Sequence, residues 1–204
     1  MVYIFKQLLP AFIFQLVLIE QDAKQQWKQT LMQRWAGRLR DMLASASSSN
    51  SDKAAFPNRT VEDVLAQVLW MPPLKPEEYL AMLRLGDLMI DPFPFGGGVT
   101  TLEAVSQCTP VITLPSRQTV HQLAAGMINR LGLGAHRSDL LIARDIAEFL
   151  ESARKILGQS PHEQEVLREE LCRSKSRLYD FNATSETHEW RQMLLRLAPG
   201  RLHY

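Results

Sequence analysis

The chain has 204 residues, enough for a single domain with an appendage. Hydrophobic residues make up 46% and charged residues 22%, the balance of a globular protein with a buried core. A net charge of +1 gives no electrostatic case for binding nucleic acid or an anionic membrane.

In chain order, residues 1–19 are apolar except for Lys6, Gln7 and Gln15. Pro10 interrupts the run, no charged segment precedes it and no small-residue cleavage site follows. It therefore reads as a buried βαβ fragment with a strand over 12–19; a secretory signal is the competing reading. Residues 23–43 place Trp27, Leu31, Trp35 and Leu39 at helical spacing. Residues 45–59 are serine-rich and read as a flexible insert. A short strand over 68–71 ends at Pro72-Pro73. A helix over 76–85 follows, with proline in its first turn and Glu77-Glu78 favouring its dipole.

The most informative stretch comes next. Leu88-Met89-Ile90 is short enough for a buried strand and is stopped by Asp91-Pro92. Gly96-Gly97-Gly98 then leads into Val99-Thr100-Thr101-Leu102-Glu103, the start of a helix, and Val111 to Leu114 forms a second strand. Glycines let backbone amides approach a ligand closely, and the first turn of a helix carries unpaired N–H groups and the positive end of a dipole. Thr100 and Thr101 add hydroxyls, and Glu103, one turn further on, offers a carboxylate to a vicinal diol such as ribose. The turn lacks the lysine of a Walker loop and the GxGxxG spacing of a dinucleotide fold. From spacing alone it is either an anion site or a ligand-free βα connection.

Helices are expected over 119–131, with a stop at Gly132, and over 139–157, 162–179 and 185–197; the segment 160–204 forms C-terminal helices. Tyr179 and Trp190 read as packing anchors. Cys108 and Cys172 lie far apart in the chain, the first beside a buried strand and the second on a polar helix, so a disulfide is not expected. The five histidines form no metal-ligand spacing, and no metal is expected. Strands alternating with helices imply an α/β fold with a parallel sheet and ligands at the carboxyl ends of its strands.

The segment from Asp91 to Arg117, DPFPFGGGVTTLEAVSQCTPVITLPSR, resembles the C-terminal catalytic domain of the O-linked N-acetylglucosamine transferases and their SPINDLY-like relatives, with the likeness running from about Val61 to Trp190. The resemblance implies a Rossmann-like half of a GT-B glycosyltransferase that takes a UDP-sugar as donor and a protein Ser or Thr as acceptor, with no cofactor. It implies that the amides of Gly98, Val99 and Thr100, next to Gly97 and Thr101, hold the diphosphate and that Glu103 holds the ribose. The Met71–Tyr79 segment resembles the family's uracil cradle, with Leu74 reading the base through its backbone and Lys75 or Tyr79 flanking the ring. Tyr3 to Pro10 resembles a family strand end whose lysine, here Lys6, neutralises the leaving group as the catalytic residue. Arg117, with His121 nearby, falls where a basic group faces the diphosphate. A nucleocytoplasmic location is implied, as is a partner N-terminal half that this chain does not supply.

Overall fold

The structure is a computed structural model that describes residues 2–6, 14–19, 25–46, 60–92, 96–119, 122–179 and 183–197. Five strands form one sheet in the order β3-β2-β1-β4-β5. They are β1 (Val2–Lys6), β2 (Phe14–Ile19), β3 (Val68–Met71), β4 (Leu88–Ile90) and β5 (Val111–Ile112).

The sheet is mixed, which corrects the expectation of an all-parallel one. β1 runs antiparallel to both β2 and β4, while β2 pairs with β3 and β4 with β5 in parallel. Residues 7–13 separate β1 from β2, with Lys6 opposite Phe14. A parallel crossover needs about a dozen residues or more, so this connection closes an antiparallel pair and cannot make the expected βαβ unit. The other four strands all point the same way, and the α/β character holds for them.

The helices α1 (Gln25–Ala46), α2 (Val61–Leu65), α3 (Pro76–Leu85), α4 (Val99–Ser106) and α5 (Leu123–Leu131) alternate with or follow the strands. Thr60 caps α2: its hydroxyl accepts from the Asp63 amide at 3.1 Å, and the Asp63 carboxylate accepts from the Thr60 amide at 2.8 Å. The serine-rich insert lies outside the described residues apart from Ser45 and Ala46, which close α1.

Beyond the sheet come α6 (Ala135–Leu141), α7 (Ile146–Gly158), α8 (Pro161–Ser174) with a 3-10 turn at Lys175–Leu178, and α9 (Ala183–Leu197). The single helix expected over 139–157 is split. Ile142 forms a parallel bridge with Thr113, with the Ala143 amide donating to the Thr113 carbonyl at 2.9 Å, and this pulls the chain out of helical geometry. Asp145 then caps α7, its side chain accepting from the Glu148 amide at 2.8 Å. Among the described residues, no helix is long and apolar enough to cross a membrane.

The core lies between β4, β5 and the helices around them. Leu83, Leu88, Ile112, Leu131, Leu141 and Leu167 are all fully buried. Trp190, by contrast, is 63% exposed on α9 and lies outside the core, contrary to the packing role expected of it.

The α8 segment fastens this core from outside. Arg168 donates to the carbonyls of Arg84 and Gly86 at the end of α3. Lys175 Nζ donates to the Ser106 carbonyl at the end of α4, at 2.8 Å. Arg177 donates to the Leu131 carbonyl at the end of α5, at 2.6 Å. Three successive helix C-termini, each with unpaired carbonyls and a partial negative charge, thus receive a cation from one stretch of chain. Gly132, at φ +61°, ends α5 in the left-handed conformation, and a Cβ there would fall 2.1 Å from Arg177 Nη1.

A disulfide joins Cys108 to Cys172, with 5.0 Å between their Cα atoms. This overturns the expectation of unpaired thiols. Sequence separation does not measure distance in space: α4 packs on α8, and Cys108, at φ 61°, turns off the end of α4.

Candidate functional site

Four strands finish at one edge of the sheet, and the connections leaving that edge are where ligands bind in open α/β sheets. Pro72 to Lys75 leaves β3, Asp91 to Gly98 leaves β4, and Leu114 to Thr119 leaves β5. Leu74, Lys75, the glycine turn and Arg117 therefore share this edge. Lys6 does not. The register pairs Val2 with Ile90 and Ile4 with Leu88, so β1 enters at the ligand edge and Lys6 ends it on the far side, beyond Leu88. Its side chain is outside the described residues, as are residues 93–95 and His121.

The glycine turn is built around Asp91, which is 3% exposed. Its Oδ1 accepts from the Gly97 amide at 2.5 Å and its Oδ2 from the Thr113 hydroxyl at 2.7 Å. Its own amide donates to the Ile112 carbonyl at 2.9 Å. Thr101, fully buried, donates its hydroxyl to the Gly97 carbonyl at 2.9 Å. The Gly97 amide and the Thr101 hydroxyl are thus occupied inside the turn. Gly97 is glycine because the protein leaves no room: a Cβ would lie 2.7 Å from Thr100 Oγ1 and 2.9 Å from Thr101 Oγ1.

The next three residues are arranged differently. Gly98 caps α4, and its carbonyl accepts from the amides of Thr101 at 3.1 Å and Leu102 at 3.3 Å. The amides of Gly98, Val99 and Thr100 meet no acceptor among the described residues. Val99 is 68% exposed, so this first turn faces outward. Among the described residues, a Cβ on Gly98 would touch Leu123, at 3.6 Å. Glu103 follows one turn later and is half-buried. Its charge reaches Tyr179, whose pKa is raised mainly by burial and further by Glu103; the Tyr179 hydroxyl donates to the Leu102 carbonyl.

The remaining candidates sit around this turn. Tyr79 is half-buried and packs on the core from α3. Leu74 is half-buried, Lys75 and Arg117 are exposed, and the Lys75 amide donates to Glu78 Oε2 at 3.0 Å. Sequence reasoning missed Asp91 and Thr113. The available signal was an aspartate at a strand end just before a glycine turn, where a carboxylate commonly accepts from turn amides.

No protein-family model matches the chain, and no curated protein matches it. Among solved structures, the fold is similar to that of a glycosyltransferase. A mutant of the O-GlcNAc transferase of Thermobaculum terrenum superposes with a TM-score of 0.55 at 22% identity, over 73% of this chain. The chain spans 28% of that protein's length. At this identity the likeness speaks for the fold alone.

Proposed function

We propose that this chain is the donor-binding part of a UDP-sugar-dependent glycosyltransferase of the GT-B type, acting like the protein O-GlcNAc transferases. The observation that carries this reading is the set of amides at Gly98, Val99 and Thr100, at the start of α4, that meet no acceptor among the described residues. Such amides, aided by the helix dipole, hold a diphosphate. In the transfer, the hydroxyl oxygen of a protein Ser or Thr attacks the anomeric carbon of N-acetylglucosamine. The bond from that carbon to the β-phosphate oxygen breaks, its electron pair leaves with UDP, and the hydroxyl proton is released to solvent. Amides fixed in advance stabilise that charge without reorganising, the role of an oxyanion hole.

Glu103 accepts from the ribose hydroxyls, Arg117 faces the diphosphate, the Leu74 backbone reads the uracil edge, and Lys75 or Tyr79 flanks the ring. Transfer also needs the acceptor side of the cleft, which these 204 residues do not include, so by themselves they bind donor without transferring sugar. Calorimetry with UDP, UMP and GDP tests the reading. UDP should bind more tightly than UMP, because the second phosphate meets the α4 amides, and EDTA should not change the result. Equal affinity for UDP and UMP would remove the diphosphate role.

A second reading is a nucleotide-binding unit without catalysis, and one observation favours it: Lys6, the residue assigned to the leaving group, ends its strand at the opposite edge of the sheet. Transfer of labelled N-acetylglucosamine to a Ser/Thr peptide after adding an acceptor-side half would rule it out.

A further inference from the structure

We infer that Asp91 is a positioning residue whose buried carboxylate holds the glycine turn so that the next three amides face an anion. The inference rests on the reading of the α4 start as a diphosphate site. A carboxylate is costly to bury unless its oxygens are hydrogen-bonded, and both oxygens of Asp91 are. Through them and its own amide, Asp91 links three places: the end of β4, the turn at Gly97 and the end of β5 at Ile112 and Thr113.

The contact falls one residue before the outward-facing amides begin. If the Gly97 amide is held inward, the backbone must turn at Gly98, whose φ of −95° and ψ of −91° lie outside both helix and strand values. Thr101 completes the brace from the other side by donating to the Gly97 carbonyl. The peptide group on each side of Gly97 is thereby fixed, so the direction of the following amides is set before any ligand arrives. Asp91 touches no ligand itself and acts through Gly97. Preorganised donors of this kind lose much of their benefit when they must be ordered on binding.

The test uses the full chain, with UDP and inorganic pyrophosphate as probes. Asp91→Ala should weaken both by about tenfold or more, the loss that accompanies a hydrogen bond to a charged group. Asp91→Asn should stay within about threefold of the parent, because its amide oxygen can still accept from Gly97. The control is Thr109→Val. Thr109 is fully buried past the opposite end of α4, where its hydroxyl donates to the Leu83 carbonyl. That variant should lower the melting temperature and leave both affinities at the parent value.

Parent-like binding by Asp91→Ala overturns the inference. So does equal weakening by Asp91→Asn and Asp91→Ala, or a loss in Thr109→Val matching that in Asp91→Ala. Should Asp91→Ala not fold, Thr113→Val decides: weaker pyrophosphate binding supports the inference and unchanged binding overturns it. If the parent binds pyrophosphate but not UDP, the nucleotide reading falls while the Asp91 comparison still stands. If the parent binds neither probe, both fall.

Discussion

Gly97 and Thr101 clasp one another: the Thr101 hydroxyl donates to the Gly97 carbonyl at 2.9 Å, and a Cβ on Gly97 would fall 2.9 Å from that same hydroxyl oxygen. The two glycines beside each other in sequence therefore serve different ends. Gly97→Ala should destabilise the fold by about 1–3 kcal/mol, the usual range for overpacking a closed site. Gly98→Ala, whose Cβ makes only an ordinary contact with Leu123, should leave the melting temperature nearly unchanged and weaken UDP binding. Thermal melts and calorimetry on the pair separate the roles; equal melting temperatures for the two variants would contradict the geometry.

Glu103 is the second test of the site. Glu103→Ala should cost UDP about 1.5–3 kcal/mol, as expected for a charged hydrogen-bond partner of the ribose. Affinity for pyrophosphate should not change, since the carboxylate is assigned to the sugar and not to the phosphates. A loss shared by both probes would move Glu103 out of the ribose role.

The Cys108–Cys172 disulfide closes a loop with a sequence separation of 64 residues. Reduction, or Cys172→Ser, should lower stability by about 2–4 kcal/mol through the freedom it returns to the unfolded chain. Urea unfolding with and without dithiothreitol measures this. Coincident curves would show that the bond contributes nothing.

Acid should loosen the start of α7. The Glu148 carboxylate accepts from the Arg144 side chain and from its backbone amide, which lower its pKa from 4.5 to about 2. A depressed folded-state pKa means the contribution is present above about pH 4.5 and is lost as the pH falls towards 2. Because both groups lie near solvent, the effect should be small and weakened by salt. Glu148→Gln should flatten the dependence of stability on pH in this window; an unchanged profile would show that the pair does not couple to folding.

The strands and turns that bracket the site could be read from local chemistry. Leu88-Met89-Ile90 ends at a proline-bearing stop, Pro76 opens α3, and Gly132 ends α5 with the positive φ that glycine supplies. What escaped the sequence was decided by partners distant in the chain. The break between α6 and α7 depends on Thr113 bridging Ile142, a pairing that no helical periodicity reveals. The inward direction of the Gly97 amide depends on Asp91, six residues earlier, and on where Thr113 holds that carboxylate. The antiparallel course of β1 is set by the short run of residues 7–13, too brief for a helix to return the chain.

The three cations of the α8 segment reach helix ends at the side of the sheet away from the glycine turn. Arg168, Lys175 and Arg177 secure α3, α4 and α5 where these helices finish, while the loops after β3, β4 and β5 open on the other side. The restraint thus lies at the opposite ends of these helices from the loop edge. Residues such as Leu74, Lys75 and Arg117 can be exchanged without disturbing what holds the layer together. Over evolutionary time such a division lets the loop edge vary while the scaffold stays fixed.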